Sequence, residues 1–316
     1  MKAVVCPKYG PPEVLQLADV AKPSPGKDEV CIKIRATAVT ASDIYIRGSQ
    51  LPLRFLLPMR LFLGLTKPRK PILGMVVAGE IESVGPNIRR FQPGDRVYGV
   101  TGFGLGAYAQ YTCMKEKDSM YGCLSPMPAT ISFEEATAAA YGGLLALQRI
   151  EEGGIRRGQH VLVYGASGTS GTMAVQLAKY YGASVTGVCS TRNVEFVRSL
   201  GADNVIDYTQ DDAALPVGVR YDCMLDTAGR AKSSPLKALC KQALRPHGAC
   251  ISIDDGKLEL KWQRLAKLKE IIETGSVQPV IDRTFPLEQL AAAHAYVERG
   301  RKRGGVAISV EHDDTE

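Results

Sequence analysis

Between His160 and Gly171 the chain reads HVLVYGASGTSG. Four apolar residues, Val161 to Tyr164, predict a short buried strand. Glycines follow at 165, 168 and 171, and MAVQLAKYY (Met173 to Tyr181) continues with apolar residues at helical spacing. A strand, a glycine turn and a helix form the setting in which such a triplet binds a dinucleotide. Gly165 lets the chain turn sharply. Gly168 leaves room for a pyrophosphate to approach backbone N–H groups, and Gly171 lets the helix lie close to the strand. The helix N-terminus adds partial positive charge, and Ser167, Thr169 and Ser170 join the glycines as candidate cofactor contacts. The spacing is G-x-x-G-x-x-G rather than G-x-G-x-x-G, so a plain strand-to-helix turn is the competing account.

The next twenty residues favour the dinucleotide. Ala183 to Cys189 (ASVTGVC) reads as a second buried strand. A fold specific for NAD places an acid about 20 residues after the glycines, where it accepts from a ribose hydroxyl. No acid stands between Val185 and Asn193; the sequence there is Ser190-Thr191-Arg192-Asn193. A hydroxyl and a guanidinium suit a 2′-phosphate, because Arg offers a planar fork of donors. NADPH is therefore expected over NADH. The alternative for Arg192 is a solvated charge on a first helical turn.

With 316 residues the chain can hold two domains with sizeable cores. The net charge of +6 comes from scattered Lys and Arg, which does not imply nucleic-acid binding. The start, MKAVVCPKYG, shows no signal peptide, and no apolar run is long enough to span a bilayer. Eight cysteines include no C-x-x-C pair, and most sit in apolar runs, so a reducing, cytoplasmic location is expected.

The order of elements predicts an α/β protein. Lys2–Cys6, Val14–Asp19 and Glu29–Ala38 read as strands, and residues 71–114 add more between glycines, as in a small β-barrel. Ser132 to Ile150 predicts one helix that opens on a capping box, Ser132 with Glu135. Beyond Arg192, helices alternate with strands at Asn204–Asp207, Tyr221–Asp226 and Ala249–Ile253, which predicts a doubly wound parallel sheet. Ligands bind such sheets at the carboxyl ends of the strands, which puts Ser190, Tyr208, Thr227 and Ser252 beside the cofactor. Residues 50–70, QLPLRFLLPMRLFLGLTKPRK, are apolar and basic and are broken by prolines. Three readings fit them: a lid over a pocket, an ordinary buried connection, or a surface for a membrane or a partner.

GDRVYG (94–99), YGGLLAL (141–147), VLVYGASGTSG (161–171), GADNVIDY (201–208) and FPLEQLAAAH (285–294) occur in this order. With these five motifs the chain resembles the medium-chain dehydrogenase/reductase superfamily, in its zinc-independent quinone oxidoreductase (zeta-crystallin-like) branch. The resemblance covers essentially the whole chain. It implies a GroES-like β-barrel catalytic domain over 1–125, completed by 281–316, and a Rossmann NADPH-binding domain over 126–280. It also implies a cleft between the two and a homodimer. Where zinc-dependent relatives supply a Cys, this chain has Thr40, and where they supply His and Glu it has Met75 and Val76. Met and Val are not zinc ligands of that kind, so no metal is expected.

The resemblance further implies that Thr40 lies beside the nicotinamide and that Tyr45 lies near the substrate, where it would donate to a developing oxyanion. Tyr45 reads equally well as a barrel residue with a satisfied hydroxyl, and Asp43 as a structural hydrogen-bonding group. Ser190 and Tyr208 match 2′-phosphate contacts, and the basic position falls on Arg192 or Asn193. His247 and His294 are read as structural. The expected function is hydride transfer from NADPH to small apolar quinones or α,β-unsaturated carbonyls. Two alternatives are an enoyl-thioester reductase and a non-catalytic NADPH-binding sensor or accessory protein. The 50–70 segment is longer and greasier than in the shorter members of that family, which suggests an apolar substrate larger than theirs.

Overall fold

A computed structural model of the chain describes residues 1–48, 60–61, 63–210, 215–216, 218–229 and 234–312. The chain divides into two compact units. One comprises Met1–Ala140, Leu260–Ala266 and Ile281–Glu316, and the other Tyr141–Glu259 and Lys267–Val280. Most of the 50–70 segment, expected to be a lid, a connection or a surface, lies outside the described residues, and so does the acidic end 313–316.

The first unit is built on a long strand. β1 (Lys2–Val5) and β2 (Gln16–Asp19) pair antiparallel. Residues 12–14, of which Val14 reads as the start of a strand, instead form a 3₁₀ turn, because Pro11 and Pro12 supply no ladder N–H. β3 (Glu29–Ala38) buries Val30, Ile32 and Ile34 completely, while Glu29, Lys33 and Arg35 point away from that core. α1 (Ala41–Gly48) follows it. β4 (Val76–Val84), β5 (Arg96–Val100), β6 (Tyr111–Lys115) and β7 (Cys123–Pro126) come next. β4 runs antiparallel along β3, β5 along β4 and β7 along β5, while β6 pairs with the first half of β3. α2 (Phe133–Ala138) opens on the expected capping box: Ser132 Oγ accepts from the Glu135 N–H and Glu135 accepts from the Ser132 N–H.

The helix expected to run on to Ile150 is interrupted. Residues Ala139–Gly143 (AAYGG) form a π-helical turn, and a regular helix resumes as α3 (Leu144–Glu152). The two glycines permit close approach: a Cβ on Gly142 would stand 2.7 Å from Thr169 Cγ2, and one on Gly143 2.6 Å from Leu268 Cδ2.

The second unit is a five-stranded parallel sheet of β8 (His160–Tyr164), β9 (Ser184–Cys189), β10 (Asn204–Asp207), β11 (Tyr221–Asp226) and β12 (Leu244–Ser252), in the order β10-β9-β8-β11-β12. Its helices are α3, α4 (Thr169–Tyr180), α5 (Val194–Ser199), α6 (Pro235–Gln242) and the latter part of α7 (Trp262–Glu273). The strand order reverses between β8 and β11, which marks the ligand crevice of a doubly wound sheet. The chain then returns to the first unit with β13 (Ile281–Pro286), α8 (Leu290–Glu298) and β14 (Gly305–Ser309), which pairs with the second half of β3. The architecture is thus the expected α/β combination of a β-rich unit and a parallel-sheet unit. No helix among the described residues is long and apolar enough to cross a membrane.

Removing the Ser132 hydroxyl leaves the Glu135 amide without its acceptor. Ser132→Ala should cost about 1 kcal/mol, read as a lower urea midpoint by circular dichroism.

Candidate functional site

The glycine turn of the second unit has the geometry its sequence implies. Gly165 adopts φ +86°, a conformation that favours glycine. The N–H groups of Gly165 and Ala166 both donate to Val188 O, at 3.1 Å, fixing the turn to the neighbouring strand. A Cβ on Gly171 would stand 2.1 Å from Gly165 O, so only glycine lets α4 start this close to β8. A Cβ on Gly168 would meet nothing nearer than 3.6 Å, so the space beside it is open. Gly168 is the N-cap of α4, a 12-residue helix, and provides no side-chain cap. Ser167 lies in the same turn, and Thr169 and Ser170 begin the helix.

The carboxyl ends of β9 and β10 carry the adenosine-side candidates. Asp207 pairs with Cys189, so Ser190 and Tyr208 leave the sheet side by side, and the Tyr208 N–H donates to Cys189 O at 3.0 Å. Tyr208 is half exposed, and Arg192 is exposed on the turn Thr191–Asn193. Arg192 and Asn193 differ in their surroundings. Asn193 is buried, and its Nδ2 donates to Ser167 Oγ (3.0 Å) and Ser190 Oγ (3.3 Å). It braces two hydroxyls from behind, while Arg192 faces solvent beside them.

Asp207 is an acid at this edge, 14 residues beyond Asn193 in the chain. Its carboxylate accepts from the Thr209 N–H (3.0 Å), Thr209 Oγ1 (2.6 Å) and Gln210 Nε2 (3.0 Å). Burial works against its ionised form, but hydrogen bonds from Thr191, Thr209 and Gln210 outweigh burial and hold it well below the usual carboxylate range. Its lone pairs are spent on its own turn.

Thr227 and Ser252 sit at the ends of β11 and β12, with internal commitments. Thr227 Oγ1 lies 2.8 Å from Tyr164 O and 3.0 Å from Gly165 O, closing the crevice floor. The Ser252 N–H donates to Asp255 and its Oγ accepts from the Asp254 N–H, within a turn. A further residue had no sequence signal: Lys237 on α6 is buried, 2.6 Å from Asp226 Oδ2, and donates to Gly229 O at 2.8 Å. It ties α6 to the loop against which Gly165 turns. A lysine on an amphipathic helix gives no hint of such burial.

In the first unit, Thr40 and Asp43 form a second capping box, at the start of α1. Asp43 Oδ2 accepts from the Thr40 N–H (2.9 Å) and Oγ1–H (2.6 Å), and the Asp43 N–H donates to Thr40 Oγ1 (3.2 Å). Asp43 is fully buried, unlike an ordinary capping acid, and its Oδ1 has no hydrogen-bond partner. Burial pushes its carboxyl up to about 6, against hydrogen bonding from Thr40 and, more weakly, from Tyr108 and the Met75 backbone. Tyr45, on the same helix, is 41% exposed.

Behind Asp43 lies a polar chain. The Tyr108 hydroxyl is 3.3 Å from Ala38 O and faces Asp43; burial and that carboxylate hold it well above its ordinary range. His294 Nε2 lies 3.2 Å from the same hydroxyl. Arg47, fully buried, donates from Nε to His294 Nδ1 (3.2 Å), from NH1 to Gly10 O, and from NH2 to Glu298. A guanidinium only donates, so Nδ1 is the acceptor and the His294 proton sits on Nε2. His294 is thus held by hydrogen bonds on both nitrogens. Leu105 (φ 52°), the one non-glycine at positive φ among the described residues, lines a cavity of about 180 Å³ with Leu63, Arg69, Lys70, Phe103 and Tyr121.

Burial, with Arg47 adding repulsion, depresses His294 to about 3. The folded state binds that proton less readily than the unfolded chain, so this contribution is present above pH 6.5 and is lost as pH falls toward 3. Asp43 has the opposite sign, since its raised value favours the fold as pH falls through about 6. His294→Asn should remove about 1.4 kcal/mol of acid sensitivity per pH unit below about 6.5, measured as wild-type minus variant unfolding free energy from about pH 7.5 to about pH 5.

Residues 26–125 match the family model for an alcohol dehydrogenase GroES-like domain, and residues 257–308 match that for a zinc-binding dehydrogenase. The chain is 32% identical to the chloroplastic quinone-oxidoreductase QR1 of Triphysaria versicolor, over 98% of each chain. It is also 32% identical to the chloroplastic NADPH-dependent alkenal/one oxidoreductase of Arabidopsis thaliana, over 98% of this chain and 79% of that one. The quinone oxidoreductase of Coxiella burnetii superposes with a TM-score of 0.81 at 25% identity, over 98% of this chain and 99% of that one.

Proposed function

Because the chain belongs to the medium-chain dehydrogenase/reductase superfamily, in its quinone oxidoreductase branch, we propose that it is a zinc-independent, NADPH-dependent reductase of quinones or α,β-unsaturated carbonyls. The observation that carries the NADPH reading is the edge of β9 and β10, where Ser190, Arg192 and Tyr208 stand without a free acid. A 2′-phosphate there meets a guanidinium and two hydroxyls, and Asp207 is already saturated with donors. The open space beside Gly168 and the uncapped start of α4 fit a pyrophosphate.

A bound nicotinamide supplies a hydride. The chain's own residues bind, orient and manage the proton that the reduced acceptor must gain. Thr40 Oγ1 donates into Asp43, a buried carboxyl raised to about 6, so the pair holds a proton at a defined hydroxyl. Tyr45, exposed one turn along α1, is the candidate donor to substrate oxygen. Thr40, Met75 and Val76 stand where a catalytic zinc site needs its ligands, which supports chemistry by polarisation rather than by a Lewis acid. The proposal extends to a cytoplasmic homodimer acting on a small apolar acceptor.

Stopped-flow loss of nicotinamide absorbance should be rapid with NADPH and members of a quinone and enone panel. Turnover confined to enoyl thioesters, or tight NADPH binding without turnover on any acceptor, would replace this reading with one of its two rivals. Arg192→Ala should weaken NADPH binding about 10- to 100-fold, the value of a charge-assisted hydrogen bond, and leave NADH nearly unchanged, as measured by fluorescence titration.

A further inference from the structure

β3 alternates, with Val30 and Ile32 entering the core, so Cys31 belongs to the other face. It is nonetheless 1% exposed. Its cross-strand partner on β6 is Cys113. The ladder fixes the kind of pair they make. The Ile34 N–H donates to Gln110 O (2.9 Å) at one end and the Glu116 N–H to Asp28 O (3.2 Å) at the other. Hydrogen-bonded pairs alternate with non-hydrogen-bonded ones. Stepping from Ile34–Gln110 makes Ile32–Thr112 a hydrogen-bonded pair and Cys31–Cys113 a non-hydrogen-bonded one. There the Cα atoms approach to about 4.5 Å, within the about 4.4–6.8 Å that a disulfide spans.

We propose that Cys31 and Cys113 are an oxidant-reactive dithiol, a modification site at which a hydroperoxide forms a cross-strand disulfide. The Cys31 thiolate attacks the peroxide O–O bond, giving a sulfenic acid and, with one proton, water or an alcohol. Cys113 sulfur then attacks the Cys31 sulfur and displaces water. Two electrons pass from the thiols to the peroxide, and each thiol proton ends in a product O–H bond.

The surroundings divide the roles. The Cys31 thiol donates to Pro23 O at 3.8 Å. The neighbouring Cys113 thiol, with the Lys22 ammonium, holds Cys31 below the ordinary thiol range against its burial. The same pairing pushes Cys113 far up. Cys113 is only half-buried. The other six thiols are raised by burial, Cys6 and Cys240 to about 11 and Cys123, Cys189 and Cys223 to about 12. Among the described residues β6 pairs with β3 alone, so the bond would staple that strand in place.

The test is hydrogen peroxide added to the full-length protein, followed by intact and peptide mass spectrometry without reductant. The expected result is a loss of about 2 Da, a peptide linked through Cys31 and Cys113, and reversal by dithiothreitol. The oxidised protein should melt a few degrees higher. In Cys113→Ser, dimedone should trap a sulfenic acid at Cys31. A linkage between other cysteines, oxidation of Cys250 ahead of Cys31, or no loss of mass at peroxide excess would overturn the assignment. The wild-type peptide map decides this even if the variant does not fold. It does not involve the cofactor, so it stands or falls apart from the proposed reaction.

Discussion

One carbonyl oxygen sets the second unit. Gly165 O accepts from the Gly168 N–H at 3.1 Å, and it lies where a side chain on Gly171 would have to go. The strand end, the turn and the first turn of α4 are therefore packed backbone against backbone. Other constraints converge on the same point. The Val188 carbonyl holds the Gly165 and Ala166 amides, Thr227 Oγ1 reaches back to Tyr164 O and Gly165 O, and Lys237 fixes the loop after β11. Each contact comes from a different strand or helix. The turn is thus pinned from both sides of the place where strand order reverses, and the amides at the start of α4 are aimed before any ligand arrives.

The first unit depends on a different device. Its segments are far apart in sequence, and Arg47 joins three of them: Gly10 near the start, His294 and Glu298 on α8, and its own helix α1. A fully buried guanidinium is costly to desolvate, and only a full set of acceptors offsets that cost. Here the acceptors come from the beginning and the end of the chain. The C-terminal return is therefore tied in by polar specificity as well as by the β14–β3 ladder. His294, read in the sequence as structural, is the relay between this arginine and Tyr108.

The legible parts of the sequence were those governed by local rules. The strand at 29–38, the strands at 204–207 and 221–226 and the Ser132 capping box follow from alternation and capping, which act over a few residues. The AAYGG turn was not visible, because Gly142 and Gly143 answer to Thr169 and Leu268, distant in sequence. Asn193 could be placed near a phosphate by position, but its inward orientation depends on Ser167, 26 residues earlier. Lys237, Arg47 and the Cys31–Cys113 pair share this property. Their environments come from strands and helices that the sequence orders but does not visibly bring into contact.

Thr40 and Asp43 show how an ordinary local motif acquires chemistry. Asp43 and Arg47 are four residues apart on α1, with the acid first, the spacing at which a carboxylate and a guanidinium normally pair. They do not pair here, because Arg47 spends its donors on Gly10, His294 and Glu298. Asp43 is buried without a cation and keeps one oxygen without a partner. Burial therefore dominates its titration, and the carboxyl takes up a proton at about pH 6, above the usual carboxylate range. With the arginine that knits the first unit together committed elsewhere, burial and not a cation governs the acid beneath Thr40. A change that freed Arg47 to turn toward Asp43 would hold the carboxylate ionised and convert the pair into a plain helix cap.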